Sequence, residues 1–251
     1  MTARIDFNCD LGEGCGDDAA IIPLITSASI ACGGHAGDEA TMRATLCLCL
    51  EHGIAAGAHP SYPDRAGFGR QEMALAPEAV LATVREQILR LVDAAAAEGT
   101  RLSHVKPHGA LYNVAARDRA VAEAIANAVA GIDPELMLFG LSGSQLTAAA
   151  EAAGLRAVHE VFAERRYEAD GSLTPRNRND AVIHDLDEAI AQVRGFVRDG
   201  SVVARTGERI ALRADTLCLH GDRPDAAQFA KAIHDALLAD RVRILSVGAD
   251  A

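Results

Sequence analysis

"RIDFNCDLGEG", residues 4–14, alternates strictly until it reaches its glycines. Ile5, Phe7 and Cys9 form one face of an extended segment, while Asp6, Asn8 and Asp10 form the other. Which face is buried, and against what, depends on the rest of the chain. Similar short β-type runs recur at 28–32, 54–59, 102–106, 136–141, 156–162, 215–220 and 242–247. Helical periodicity fills the gaps. Met42, Leu46, Cys49 and Leu50 share a stripe before the stop at Gly53, and Val80, Val84, Ile88 and Leu91 share another over 77–99. Further helices are predicted at 117–130, 143–153, 185–198 and 225–239. Repeated strand–helix units imply a parallel sheet with helices outside it. Seven or eight units in 251 residues fit one closed β/α barrel spanning 1–251, with an open doubly wound sheet as the competitor.

In a barrel the apolar face of 4–10 packs against helices, so Asp6, Asn8 and Asp10 point inward. The same split puts His104 and Lys106 inside with Val105 outside, and Cys218 and His220 inside with Leu217 and Leu219 outside. Burying such groups is costly unless they are paired, so a barrel that does so is building a site. Five strands also end in polar, glycine-rich segments: "NCDLGEG", "ACGGHAGD", "GAHPSYPD", "VKPHGALYN" and "CLHGD". Sites of β/α barrels lie at this carboxyl edge of the strands. Pro107 ends its strand there, leaving Lys106 at the rim and His108 at the start of a loop above it. Two segments break the rhythm: an Arg-rich insertion at 163–180, and a small hairpin at 201–215 turning at Thr206-Gly207.

Composition narrows the function. Asp and Glu number 35 against 24 Lys and Arg, a formal charge of -11 that repels nucleic acid and anionic membrane surfaces. The N-terminal stretch lacks a signal peptide's basic start and apolar run, no segment approaches the length of a spanning helix, and six dispersed cysteines read as reduced thiols. A cytoplasmic protein is expected. There is no phosphate-cradling G-x-x-x-x-G-K-[ST], no G-x-G-x-x-G and no G-x-S-x-G elbow. What remains is a cluster of carboxylates, imidazoles and cations suited to hydrolysis at a carbonyl or phosphoryl centre. Asp10 or Glu13 could take a proton from water, and Lys106 with arginines of the insertion could hold an oxyanion or phosphate. Asp10, His35 and His59 could instead hold a metal ion, although no H-E-x-x-H spacing supports one.

The segments "DFNCDLGEG" (6–14), "SIACGGHAGD" (29–38), "GAHPSYPDRAGFGR" (57–70), "HVKPHGALYN" (104–113), "EVFAERRYEADGSLTPR" (160–176) and "DTLCLHGDRPDA" (215–226) together resemble the LamB/YcsF family. The resemblance implies a seven-stranded, deacetylase-like barrel, with the run at 242–247 outside it. It also implies ATP-dependent opening of 5-oxo-L-proline to L-glutamate, with Mg2+ accompanying ATP and two further subunits, B and C; a homo-oligomer is possible. On this reading Asp10 is the general base and Lys106 stabilises the amide oxygen or phosphoryl group. His59, His108 and His220 orient substrate or shuttle protons, and Glu13 and Glu160 position those groups. Asn8, His35, Arg165, Arg176 and Asp222 complete the substrate and phosphate contacts. Two positions depart from the family pattern. Gly34 stands where a bulky aromatic is expected, which would enlarge the pocket, and Gln71-Glu72 replace a basic pair. The rival readings are a metal-dependent amide hydrolase built on Asp10, His35 and His59, and a non-catalytic subunit that only binds substrate.

Overall fold

A computed structural model of the chain describes residues 3–15, 17–222 and 224–249. Six parallel strands follow in order: β1 (Arg4–Leu11), β2 (Ser27–Ala31), β3 (Ala55–His59), β4 (His104–Val105), β5 (Met137–Leu141) and β6 (Ala157–Phe162). The predicted hairpin then appears as β7 (Ser201–Val203) paired antiparallel with β8 (Arg209–Ala211). A seventh parallel strand, β9 (Thr216–His220), pairs with β6 on one side and β1 on the other and closes the barrel. The last run is β10 (Arg243–Ile244), which pairs with Arg4 and Ile5 below the closed ring. The open-sheet alternative is thereby excluded.

Helices α1 (Asp18–Ile21), α2 (Glu39–His52), α3 (Pro77–Ala97), α4 (Gly109–Arg117), α5 (Arg119–Ala130), α6 (Gln145–Ala152), α7 (Leu186–Arg194) and α8 (Ala226–Ala239) lie between the strands. Asp38 caps α2 through its side chain, and Gly53 ends it in the left-handed conformation. Met42, Leu46 and Cys49 of the predicted stripe are buried, but Leu50 is 46% exposed; at 100° per residue it falls beyond the edge of the packed face. The larger departure is α4. Residues 109–117 were expected to continue a loop, yet they form a helix that Asp118 separates from α5 by capping the latter's first turn. Proline and glycine on either side of His108 conceal it, because both are loop signals in sequence but helix-entry residues here.

Strand alternation divides the apolar residues in two. Ile5, Phe7, Cys9, Val105, Leu217 and Leu219 pack outward into the core shared with the helices. Inside the barrel a separate small cluster, Met137, Phe139 and Val158, meets Val247. Above that plug the interior turns polar. Asp6 accepts hydrogen bonds from Thr26 and Ser27 at 2.6 and 2.7 Å, and His104 stacks on Phe139 with 4.2 Å between ring centroids. Among the described residues no helix is long and apolar enough to cross a membrane.

Candidate active site at the barrel rim

Lys106 stands at the centre of the polar interior, only 2% exposed. Its Nζ lies 2.8 Å from Asp10 Oδ1 and 2.8 Å from Glu160 Oε1, and donates to Asn8 Oδ1 at 3.0 Å. Asn8 turns its amide nitrogen to Glu160 and Thr216 at 3.0 and 2.7 Å, which fixes its orientation. Burial favours the neutral amine, but Asp10 beside it holds the Lys106 ammonium well above the ordinary lysine range. Burial likewise disfavours the Asp10 carboxylate, yet His59 and Lys106 hold its pKa well below the usual value. The group therefore carries one ammonium against two carboxylates. With its hydrogens already directed to Asp10, Glu160 and Asn8, Lys106 is better placed to keep Asp10 ionised than to receive an oxyanion. That differs from the direct contact with substrate oxygen expected of Lys106.

Next to this cluster, β3 and the segment after β4 bring three imidazoles together. His59 Nε2 is 3.3 Å from Asp10 Oδ2, and its Nδ1 donates to the Lys106 carbonyl at 2.7 Å. His108 lies against His59, with 2.9 Å between Nδ1 and Nε2, and donates from its own Nε2 to the Phe68 carbonyl at 2.9 Å. Phe68 adopts a positive φ of 54°, rare for so bulky a residue, and this strained turn aims its carbonyl at His108. His35 stacks on His108, with ring centroids 3.7 Å apart and planes 5° from parallel, and meets Glu13 Oε1 at 3.0 Å. Burial lowers the His35 pKa to about 2; burial together with the charge of Asp10 raises that of Glu13 to about 9. Glu13, His35, His59 and His108 each offer a buried ligand atom within 4.8 Å of the others. This is not the expected Asp10–His35–His59 set, since Asp10 meets the group through His59 and turns its other oxygen to Lys106.

The insertion supplies the far wall. His220 directs Nδ1 to Glu164 and receives Arg176 Nη2 on Nε2 at 2.9 Å. Arg165 is buried and spends Nη2 on the Thr174 carbonyl at 2.6 Å, so part of its role is to brace the insertion. Burial and the neighbouring Arg176 push its pKa down to about 10. Asp222 is paired with Arg70. A cleft of about 680 Å³ has Arg70, Arg117, Arg165, Arg176 and residues 142–144 in its walls. It shares Arg70, Arg165 and Arg176 with an inner cavity of about 30 Å³ bounded by Asp10, His59, Lys106, His108 and His220. The inner space admits a water or two, whereas the outer cleft admits a small organic anion.

All twelve residues singled out in the sequence thus lie in or beside one rim site. The sequence reading missed Arg70, Glu164, the strained Phe68 and Tyr112, which borders the inner cavity. Arg70 stood at the end of the segment "GAHPSYPDRAGFGR", where arginine beside glycines was the available signal. The Gly34 expectation is corrected: a Cβ there would lie 2.3 Å from Gln87 Oε1 and 2.4 Å from Ser61 Oγ. Gln87 is buried, bonded to both backbone groups of Ser61, and fills the space an aromatic ring would take, so the rim is not widened.

Known proteins share this fold and, in some cases, much of the sequence. The family model described as "LamB/YcsF family" matches residues 5–250. The 5-oxoprolinase A subunit of Bordetella pertussis is 55% identical over 249 residues, covering 97% of this chain and 99% of that one. A crystal structure of the lactam utilization protein from Thermus thermophilus superposes with a TM-score of 0.91 at 45% identity, covering 96% and 99% of the two chains. A peptidoglycan deacetylase from Bacillus subtilis shares the barrel alone, with a TM-score of 0.51 at 14% identity over 98% of this chain and 88% of that one.

Proposed function

The chain belongs to the LamB/YcsF family, and from that premise we propose that it is the barrel subunit of an ATP-dependent 5-oxoprolinase, opening 5-oxo-L-proline to L-glutamate. The names of its relatives support the substrate class, a lactam. The observation that carries the reading is the juxtaposition of a buried, ionised Asp10, held beside His59, with an arginine-lined cleft large enough to take the lactam.

The chemistry asks for both halves. A five-membered lactam is a poor electrophile, and its amide nitrogen is a poor leaving group. Transfer of the γ-phosphoryl group of ATP to the amide oxygen makes the ring carbon attackable, and ADP leaves. Water then adds to that carbon, and the C–N bond breaks to free the amine and leave an acyl phosphate. A second water releases phosphate and the carboxylate of glutamate. In sum, 5-oxoproline, ATP and two waters become glutamate, ADP and phosphate.

In the proposal the attacking water occupies the inner cavity and gives its proton to Asp10, which His59 positions. Lys106, with Asn8 and Glu160 around it, keeps Asp10 ionised and aimed. Arg70, Arg165 and Arg176 receive the substrate carboxylate or transferred phosphoryl group in the outer cleft, with Asp222 and Glu164 orienting Arg70 and His220. His108, His35 and Glu13 form the adjoining wall. ATP with Mg2+, and the B and C subunits, belong to the assembled complex.

The test is reconstitution: this chain, its B and C partners, 5-oxoproline, ATP and Mg2+ should release glutamate and ADP in equal amounts. Asp10→Asn in the same mixture should collapse glutamate formation. Wild-type rates in that variant, with 5-oxoproline still bound, would leave this chain with a substrate-presenting role only.

A further inference from the structure

The three imidazoles contain a contradiction that protons alone resolve poorly. A carbonyl oxygen can only accept, so His59 carries its hydrogen on Nδ1, facing Lys106 O, and His108 carries its hydrogen on Nε2, facing Phe68 O. In the neutral rings, His59 Nε2 and His108 Nδ1 are then bare lone pairs, yet they face each other at 2.9 Å. Glu13 Oε1 lies 3.9 Å from His59 Nε2 and 3.4 Å from His108 Nδ1. The ammonium that could intervene, Lys106, is engaged by Asp10, Glu160 and Asn8. A proton on the Glu13 carboxyl can serve one of these contacts and leaves the other buried acceptors facing one another without a donor, which is costly.

We propose that Glu13, His59 and His108 bind one divalent transition-metal ion, zinc being the type that suits them, independently of whether a lactam is the substrate. One proton can bridge only one of the contacts; a metal ion satisfies all three acceptors at once. A tetrahedral ion with bonds of about 2.0–2.1 Å sets its ligands about 3.3–3.4 Å apart, and the three edges here are 2.9, 3.4 and 3.9 Å. Each imidazole already donates its other N–H to a backbone carbonyl, the arrangement that orients ligating histidines. His35 is not a ligand in this assignment. Its ring lies parallel to His108 at 3.7 Å, so an ion in the plane of one ring stands well out of the plane of the other. It serves as a positioning residue, donating Nε2–H to Glu13 at 3.0 Å. Glu13 binds as the carboxylate and releases its proton on loading. Both ligating imidazoles border the inner cavity, which leaves the fourth position for water.

Metal-stripped protein titrated with ZnCl2 in a calorimeter should take up one ion per chain. Glu13→Gln and His108→Ala should each weaken that uptake by at least about 100-fold, and His35→Gln by about 10-fold. Cobalt loading of the wild type should give tetrahedral visible bands without the thiolate charge-transfer absorption that cysteine ligation would produce, a readout that does not depend on the variants folding. No stoichiometric uptake by folded wild-type protein overturns the proposal. So does uptake unchanged in both ligand variants, or a nitrogen NMR spectrum of zinc-treated protein in which His59 carries a hydrogen on Nε2.

Discussion

Asp10 and Lys106 show how one residue's chemistry is set by its neighbours. Asp10 is ionised because His59 and Lys106 outweigh its burial. Replacing it with asparagine keeps the shape and removes the charge, so glutamate formation by the reconstituted complex should fall about 100- to 10,000-fold with an unchanged circular dichroism spectrum. Lys106 is the harder residue to lose. Lys106→Met leaves Asp10 and Glu160 buried beside each other without their shared cation, and should lower the unfolding free energy by about 3–5 kcal/mol. Urea denaturation measures it, and a loss under about 1 kcal/mol would show that the ion pairs are not compensating for burial. In sequence, both residues were legible as inward-facing polar positions. Their protonation states were not, since those depend on partners as distant as Glu160.

At the scale of elements, the passage from β4 into α4 places Lys106 and His108 on successive levels of the site. Gly109 makes that passage possible. It has a φ of +55°, and a Cβ there would lie 2.6 Å from the Gly69 carbonyl oxygen, which already accepts from Ala110 at 2.9 Å. Gly109→Ala should therefore cost about 1–3 kcal/mol, read as a lower urea midpoint, and should separate the strained 68–69 turn from His108. A midpoint equal to wild type would refute the close approach. Strand alternation, the hairpin at Thr206-Gly207 and the capped α2 were readable because each rests on local periodicity or turn chemistry. The α4 helix was not, because its entry rests on contact with a loop some forty residues earlier.

For the whole molecule, folding encloses titratable groups in unusual states, and stability records the sum. His35 and His104 stay neutral down to about 2 and about 3, and His108 is also held well below its usual value by burial. In the unfolded chain these titrate near about 6.5. Below that pH the unfolded chain binds more protons, so the histidine contribution, fully present above about 6.5, is lost as pH falls. Glu13 works in the opposite sense: folded, it keeps its proton to about 9, so its contribution declines as pH rises above its unfolded value. His159 shifts in the same direction as these histidines, and Asp6 and Asp18 in the same direction as Glu13, so the histidines give a loss on the acid side and the raised carboxyls a loss toward higher pH. Metal-free protein should thus be most stable between about pH 6 and 7, and His104→Gln should flatten the acid limb. Urea midpoints from about pH 4.5 to 9 test this; a midpoint that climbs steadily below about pH 6 would reverse the sign. The sequence by itself determined the repeated strand–helix units, the inward polar faces and the five loaded strand ends, because alternation, helical period and glycine–proline breaks act between near neighbours; closure into a barrel rests on the pairing of β9 with β1. Only the tertiary structure decided that Lys106 sits between two carboxylates, that arginines line the outer cleft, and that two imidazole lone pairs meet. Those facts depend on distances across the barrel between residues such as Asn8 and Glu160, 152 positions apart, and Coulomb and hydrogen-bond energies follow distance in space.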